Sequence, residues 1–224
     1  MTPPALTGVL VLPVLFAAVI GLATPAILRA LPPPVDEPGA DPYRRLATPG
    51  TAVAVFALVA AAATLAVAAA PASSPAWLGL AGPGVLAAVV DARTGYLPRH
   101  LTRAAWLLTA LGLLACTAVA GPWPLLRAVV GAASAAALFW LFWRFGDGFG
   151  FGDVRLAPVI GASAASVGWP VLAGALLLGG LLGVAWGITW QALGRGRAFP
   201  YGPALVAGPF LALGASLLLP EASG

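Results

Sequence analysis

Trp169-Pro-Val-Leu-Ala-Gly-Ala-Leu-Leu-Leu-Gly-Gly-Leu-Leu-Gly-Val-Ala-Trp-Gly-Ile-Thr-Trp-Gln-Ala192 runs for 24 residues without a charge. A helix crosses a bilayer with about 17–25 consecutive apolar residues, so this stretch reads as a membrane span. Similar runs recur along nearly the whole chain, at about 8–29, 50–70, 76–90, 104–120, 124–143, 154–167 and 203–219. Composition agrees: 61% of the 224 residues are hydrophobic, 8% are charged, and mean hydropathy is +0.98. Soluble domains carry roughly 25% charged residues. The expected fold is all-α, a polytopic membrane protein of about eight transmembrane helices forming one membrane-embedded domain over 1–224.

The polar breaks alternate in character. Segments 30–49, 91–103, 144–153 and 193–202 carry charge, whereas the turns near 71–75, 120–123 and 168 carry none. With the N-terminus outside, Arg29, Arg44, Arg45, Arg93, Arg99, Arg103, Arg144, Arg155, Arg195 and Arg197 all fall on the cytoplasmic side, and Arg127 alone falls opposite. Such sorting follows the positive-inside rule and supports the count of eight. It also accounts for the net charge of +4 without nucleic acid, since the arginines form no contiguous patch. Met1–Thr7 has no basic residue ahead of the first apolar run, which favours a first span over a cleaved signal. The single Cys116 excludes paired-Cys zinc sites and disulfide frameworks. In 169–192, Gly179, Gly183 and Gly187 recur every four residues, a small-residue stripe that lets another helix approach closely.

Acids are scarce, seven Asp and Glu in all, and an ionised Asp at membrane depth costs about 2.5–3.5 kcal/mol. One of them, Asp153, stands in Gly148-Phe149-Gly150-Phe151-Gly152-Asp153-Val154-Arg155-Leu156 at the mouth of a span. Asp91 ends an inward-running span and Asp153 begins an outward-running one, so both lie at the cytoplasmic face. An Asp in either place alone is also an ordinary helix cap or loop residue. Two at one membrane face suggest more, because paired carboxyls in a low-dielectric site share a proton and titrate together. Such a pair suits aspartic proteolysis, one group taking a proton from water and the other donating to the substrate. The alternating glycines permit close approach of a substrate strand. The helix N-terminus and Arg155 favour the charged form at Asp153, leaving Asp91 as the protonated partner.

Gly150-Phe151-Gly152-Asp153 resembles the GxGD signature of intramembrane aspartic proteases, and Asp153-Val154-Arg155-Leu156 is similar to the prepilin peptidase version of it. Asp91 through Thr102, with Pro98 and Leu101-Thr102, resembles that family's first catalytic segment. Phe199-Pro200-Tyr201-Gly202-Pro203 is similar to its Pro-Phe-Gly-Pro motif before the last span. The resemblance implies a hydrolase of the type IV prepilin peptidase family with catalytic Asp91 and Asp153. Substrate-facing positions implied or suggested are Gly148, Gly150, Gly152, Asp147, Pro98, Arg155, Pro200, Gly202 and Pro203.

The implied activity is removal of leader peptides from type IV prepilins and pseudopilins, after a Gly and before an apolar helix, at the cytoplasmic face of a prokaryotic plasma membrane. Metal is not implied, nor any other cofactor; S-adenosylmethionine enters only if the family's N-methyltransferase activity is retained. The Cys pairs that accompany that activity in longer members are missing from the loop at 30–49. Asp147 stands where the family often has Glu, and His100 follows Arg99 after Pro98 as a marginal substrate contact. The alternatives are a preflagellin-type peptidase and a proton- or cation-coupled transporter using the same two aspartates. Transporter sites usually lie near the midplane in repeated halves, and no matching halves are found here.

Overall fold

The computed structural model describes residues 3–34, 41–146, 150–195 and 199–218, with side chains from Leu10 onward. The described residues form helices α1 (Pro3–Ala30), α2 (Pro42–Arg45), α3 (Pro49–Ala69), α4 (Val85–Thr94), α5 (Arg99–Ala120), α6 (Trp123–Phe145), α7 (Phe151–Val167), α8 (Trp169–Ala192) and α9 (Gly202–Ser216). A 3₁₀ segment at Pro71–Trp77 and a π turn at Leu80–Gly84 lead into α4. Among the described residues there is no strand, in keeping with the all-α expectation.

Every apolar run became a helix, but the helices are not equivalent. Five are long and apolar enough to cross a membrane: Leu10–Ala30 within α1, then α3, α5, α6 and α8. A sixth crossing counts only if Pro71–Trp77 and Leu80–Thr94, bent by 52°, act as one span. α7 and α9, at 17 and 15 residues, are not among these spans. The bend has a sequence cause. Pro75 and Pro83 lack the N–H that a regular helix needs, and Gly79, Gly82 and Gly84 are poor helix formers. Close packing exploits it, because a Cβ on Gly79 would collide with Ala105 and Thr109 of α5.

Gly95 ends α4 in the left-handed conformation (φ 72°), and Gly121 after α5 also takes a positive φ (74°), with an extended ψ of −170°. Those turns return the chain antiparallel. Arg93, Arg99, Arg144 and Arg155 sit at helix ends beside the α4–α5 and α6–α7 connections, whereas Arg127 lies near the start of α6. There Arg127 Nη2 donates to Ser166 O at 3.2 Å, at the far end of α7.

α7 is the central helix. It touches α5, α6, α8 and α9 as well as both turns before α4, and most of its length from Leu156 to Ser166 is buried. Helices in lipid associate through small residues rather than through hydrophobic contrast. Here Gly161 of α7 meets Gly131 and Ala135 of α6 so closely that neither glycine could carry a side chain. Buried Ser163 and Ser73 spend their hydroxyls on Ala76 O (3.0 Å) and Ser166 O (3.3 Å), tying α7 to the bent segment.

Candidate active site

Asp91 lies one turn before the end of α4, and Asp153 is the third residue of α7. Both are buried, with 4% and 5% of their surface exposed. Each carboxylate accepts one backbone N–H. Gly202 donates to Asp91 Oδ2 at 2.8 Å, across 111 positions of sequence, and Gly150 donates to Asp153 Oδ2 at 3.1 Å. The Asp153 N–H returns the bond to Gly150 O at 3.0 Å. Asp153 therefore sits inside the first turn rather than at the cap, the position of the acidic partner in a capping box.

The two carboxyls lie within electrostatic range of each other, and Tyr201 lies within range of Asp153. α9 packs against both α4 and α7, which explains how its first residues reach the pair. Among the described residues no third His, Cys, Asp or Glu joins them to form a metal cluster. The site is thus two buried carboxyl groups, each oriented by the backbone. A pair so placed exchanges protons as a unit.

Phe199-Pro200-Tyr201-Gly202-Pro203 is held by the glycine stripe of α8. The Tyr201 ring occupies the space where a Gly183 side chain would be, and its hydroxyl reaches Gly179 O at 3.4 Å. The Phe199 ring would meet a Cβ on Gly187 at 3.0 Å. Gly179 also receives Gly208 of α9 at backbone contact. The stripe packs, as its spacing suggested, and what it packs is the segment that delivers Gly202 to Asp91. Gly202 has little freedom, since a Cβ there would lie 2.8 Å from Asp91 Oδ2. Pro200 is buried and Pro203 half-buried on either side.

The connection between α4 and α5 closes the other flank. Pro98 is buried at the start of α5 and His100 is exposed. A Cβ on Gly152 would meet Leu97 Cβ at 2.8 Å, so glycine is needed next to Asp153 for this approach. Arg155 Nη2 donates to Leu97 O at 3.3 Å, its guanidinium lies 5.8 Å from the Phe151 ring, and Trp106 Nε1 donates to Arg155 O at 2.7 Å. Arg155 thus clamps the connection onto α7. Arg44 pairs with Asp41 at 2.9 Å, away from the two carboxyls. Asp147 and Gly148 lie outside the described residues.

A cavity of about 750 Å³ opens beside the end of α4, with Arg45, Ala92, Arg93, Tyr96, Phe199 and Pro200 in its wall. Sequence reading missed Leu97, Trp106 and Tyr201 as supports of the pair. Tyr201 had a signal, its place inside the third motif; Trp106 had none, since its partner is a main-chain carbonyl 49 positions away.

Residues 78–188 match the model of the type IV leader peptidase family. Two curated relatives, from Burkholderia pseudomallei strains 1026b and K96243, are each 36% identical over 60% of this chain and 46% of their own length. Both are named prepilin leader peptidase/N-methyltransferase. The chain thus spans about half the length of the curated relatives it matches. No solved structure matches it at a significant level.

Proposed function

The chain belongs to the type IV leader peptidase family, and from that premise we propose that it is an aspartic endopeptidase working through Asp91 and Asp153. The observation that carries the reading is the burial of two carboxyls, each fixed by a glycine N–H. The pair holds one proton. The ionised carboxylate takes a proton from water as its oxygen bonds to the scissile carbonyl carbon, while the protonated carboxyl hydrogen-bonds the carbonyl oxygen. Collapse of the tetrahedral adduct breaks the C–N bond, and the departing nitrogen takes a proton from the dyad. The products are an acid and an amine, with the shared proton restored. Neither a metal nor a soluble cofactor is called for.

The substrates are type IV prepilins or pseudopilins, cut between a basic leader and an apolar helix. The site faces the cytoplasm, on the side where the arginines gather, in the plasma membrane of a prokaryote. An extended peptide at this depth needs polar partners, and the glycine-flanked entry to α7 offers backbone for that purpose. The proposal covers peptide hydrolysis alone. Co-expression with a prepilin tests it: wild type should remove the leader, and Asp91→Asn and Asp153→Asn should insert normally yet leave the precursor intact. Near-normal processing by either variant would refute the dyad.

A further inference from the structure

The membrane-facing flank of the pair carries a groove that the hydrolytic mechanism does not use. α3, α4 and α9 leave a cavity of about 430 Å³ between them, walled by Leu58, Ala61, Ala88, Ala92, Pro203 and Ala207, with hardly any polar surface. Its mouth adjoins the catalytic segments. Ala88 and Ala92 stand about a turn before and one residue after Asp91, and Pro203 follows Gly202, the N–H donor to Asp91. From there the groove extends along α4 to Val85 and along α9 to Phe210. At 1.5 Å per residue that is about 10 Å, or two helical turns, directed away from the arginine-rich end. Phe210 closes the deep end, its ring 5.4 Å from buried Trp77.

We propose that this groove docks the start of the apolar helix that follows the scissile bond, so that α3, α4 and α9 select the substrate while the two aspartates cut just ahead of it. The proposal rests on the peptidase reading. Continuity is the argument. A substrate whose apolar helix starts immediately after the cut must pass from extended backbone at Asp91 and Asp153 to membrane helix within a few residues. Extended backbone cannot lie against lipid, so the surface receiving the helix has to begin at the carboxyls and run down into the membrane. This groove starts at Ala92 and Pro203, the chain neighbours of Asp91 and Gly202, and runs down α4 and α9 from there. Its alanines also suit the close approach by which membrane helices associate.

The test uses the full chain in lipid nanodiscs and two substrates: a type IV prepilin precursor with its apolar helix, and a peptide covering the leader and junction alone. Ala61→Trp and Ala207→Trp fill the groove from its accessible side. They should lower kcat/KM for the precursor relative to the junction peptide by at least about tenfold. Leu181→Trp, on the exposed face of α8, should leave that ratio at the wild-type value. An unchanged ratio in both groove variants, an equal fall in Leu181→Trp, or an equal loss on both substrates would overturn the proposal. A photo-crosslinker at Ala61 supplies a readout apart from turnover. It should capture the precursor's apolar helix, and capture of lipid or of a second copy of this chain alone would count against docking. Wild type that cleaves neither substrate would sink the peptidase reading itself, a different result from docking failure, in which wild-type cleavage survives.

Discussion

α7 and α8 are consecutive helices separated by Gly168 alone, yet they solve opposite problems. α8 is 24 residues long, uncharged, and shows Leu177, Leu181, Val184 and Ile188 to the surroundings. Its buried positions form a narrow stripe on Gly179, Gly183 and Gly187. α7 has 17 residues, carries Asp153, Ser163 and Ser166 in buried positions, and is enclosed by neighbours. A helix facing lipid has to be long and apolar because hydrocarbon satisfies no polar group. A helix enclosed by protein escapes that demand, since partners supply the hydrogen bonds. Buried polar groups in this membrane protein are therefore carried by a short inner helix, and the longer outer ones act as its solvent.

The sharpest attempt to break this contrast is to remove the chemistry without touching the packing. Asp153→Asn and Asp91→Asn should each reduce leader cleavage by about 10²–10⁴-fold, with thermal unfolding in detergent close to wild type. A large loss of stability instead would recast the buried acids as structural. Next comes the packing of the enclosed helix. Gly161→Leu forces a side chain into the backbone of α6 and should destabilise by about 1–3 kcal/mol, visible as a lowered unfolding midpoint.

Gly202→Ala is gentler. Its methyl would press on the Asp91 carboxylate, so kcat should fall about tenfold with KM little changed, the pattern of a lost transition-state interaction. Smallest of all is Leu181→Ala on the outer face of α8, where stability should stay within about 0.5 kcal/mol of wild type. If Leu181→Ala proved as costly as Gly161→Leu, the division between enclosed and lipid-facing helices would fail.

Much of the fold was legible because hydropathy is local. Each apolar run became a helix, and the glycine spacing of α8 announced a contact face. The count of eight spans was less secure for a physical reason. Runs 76–90, 154–167 and 203–219 are covered largely by protein, so neither their length nor their polarity is set by the bilayer. Of the implied site residues, Asp91, Pro98, Gly150, Gly152, Asp153, Arg155, Pro200, Gly202 and Pro203 can be placed, and they line or support one region. Arg155, read from the sequence as a positive charge near Asp153, also has a structural partner, since its guanidinium donates to Leu97 O. Charge complementarity on paper could not reveal that, because the carbonyl comes from another helix connection.

By itself the sequence determined the membrane class, the helical segments and the gathering of both acids and nearly all arginines at matching helix ends. Those properties follow from composition and from the alternation of apolar runs with charged breaks. Tertiary structure decided which N–H meets Asp91, which rings fill the α8 stripe and where a groove opens beside the carboxyls. Each of these joins atoms far apart in the chain, 111 positions in the case of Asp91 and Gly202, and only the packing of whole helices brings such atoms into contact.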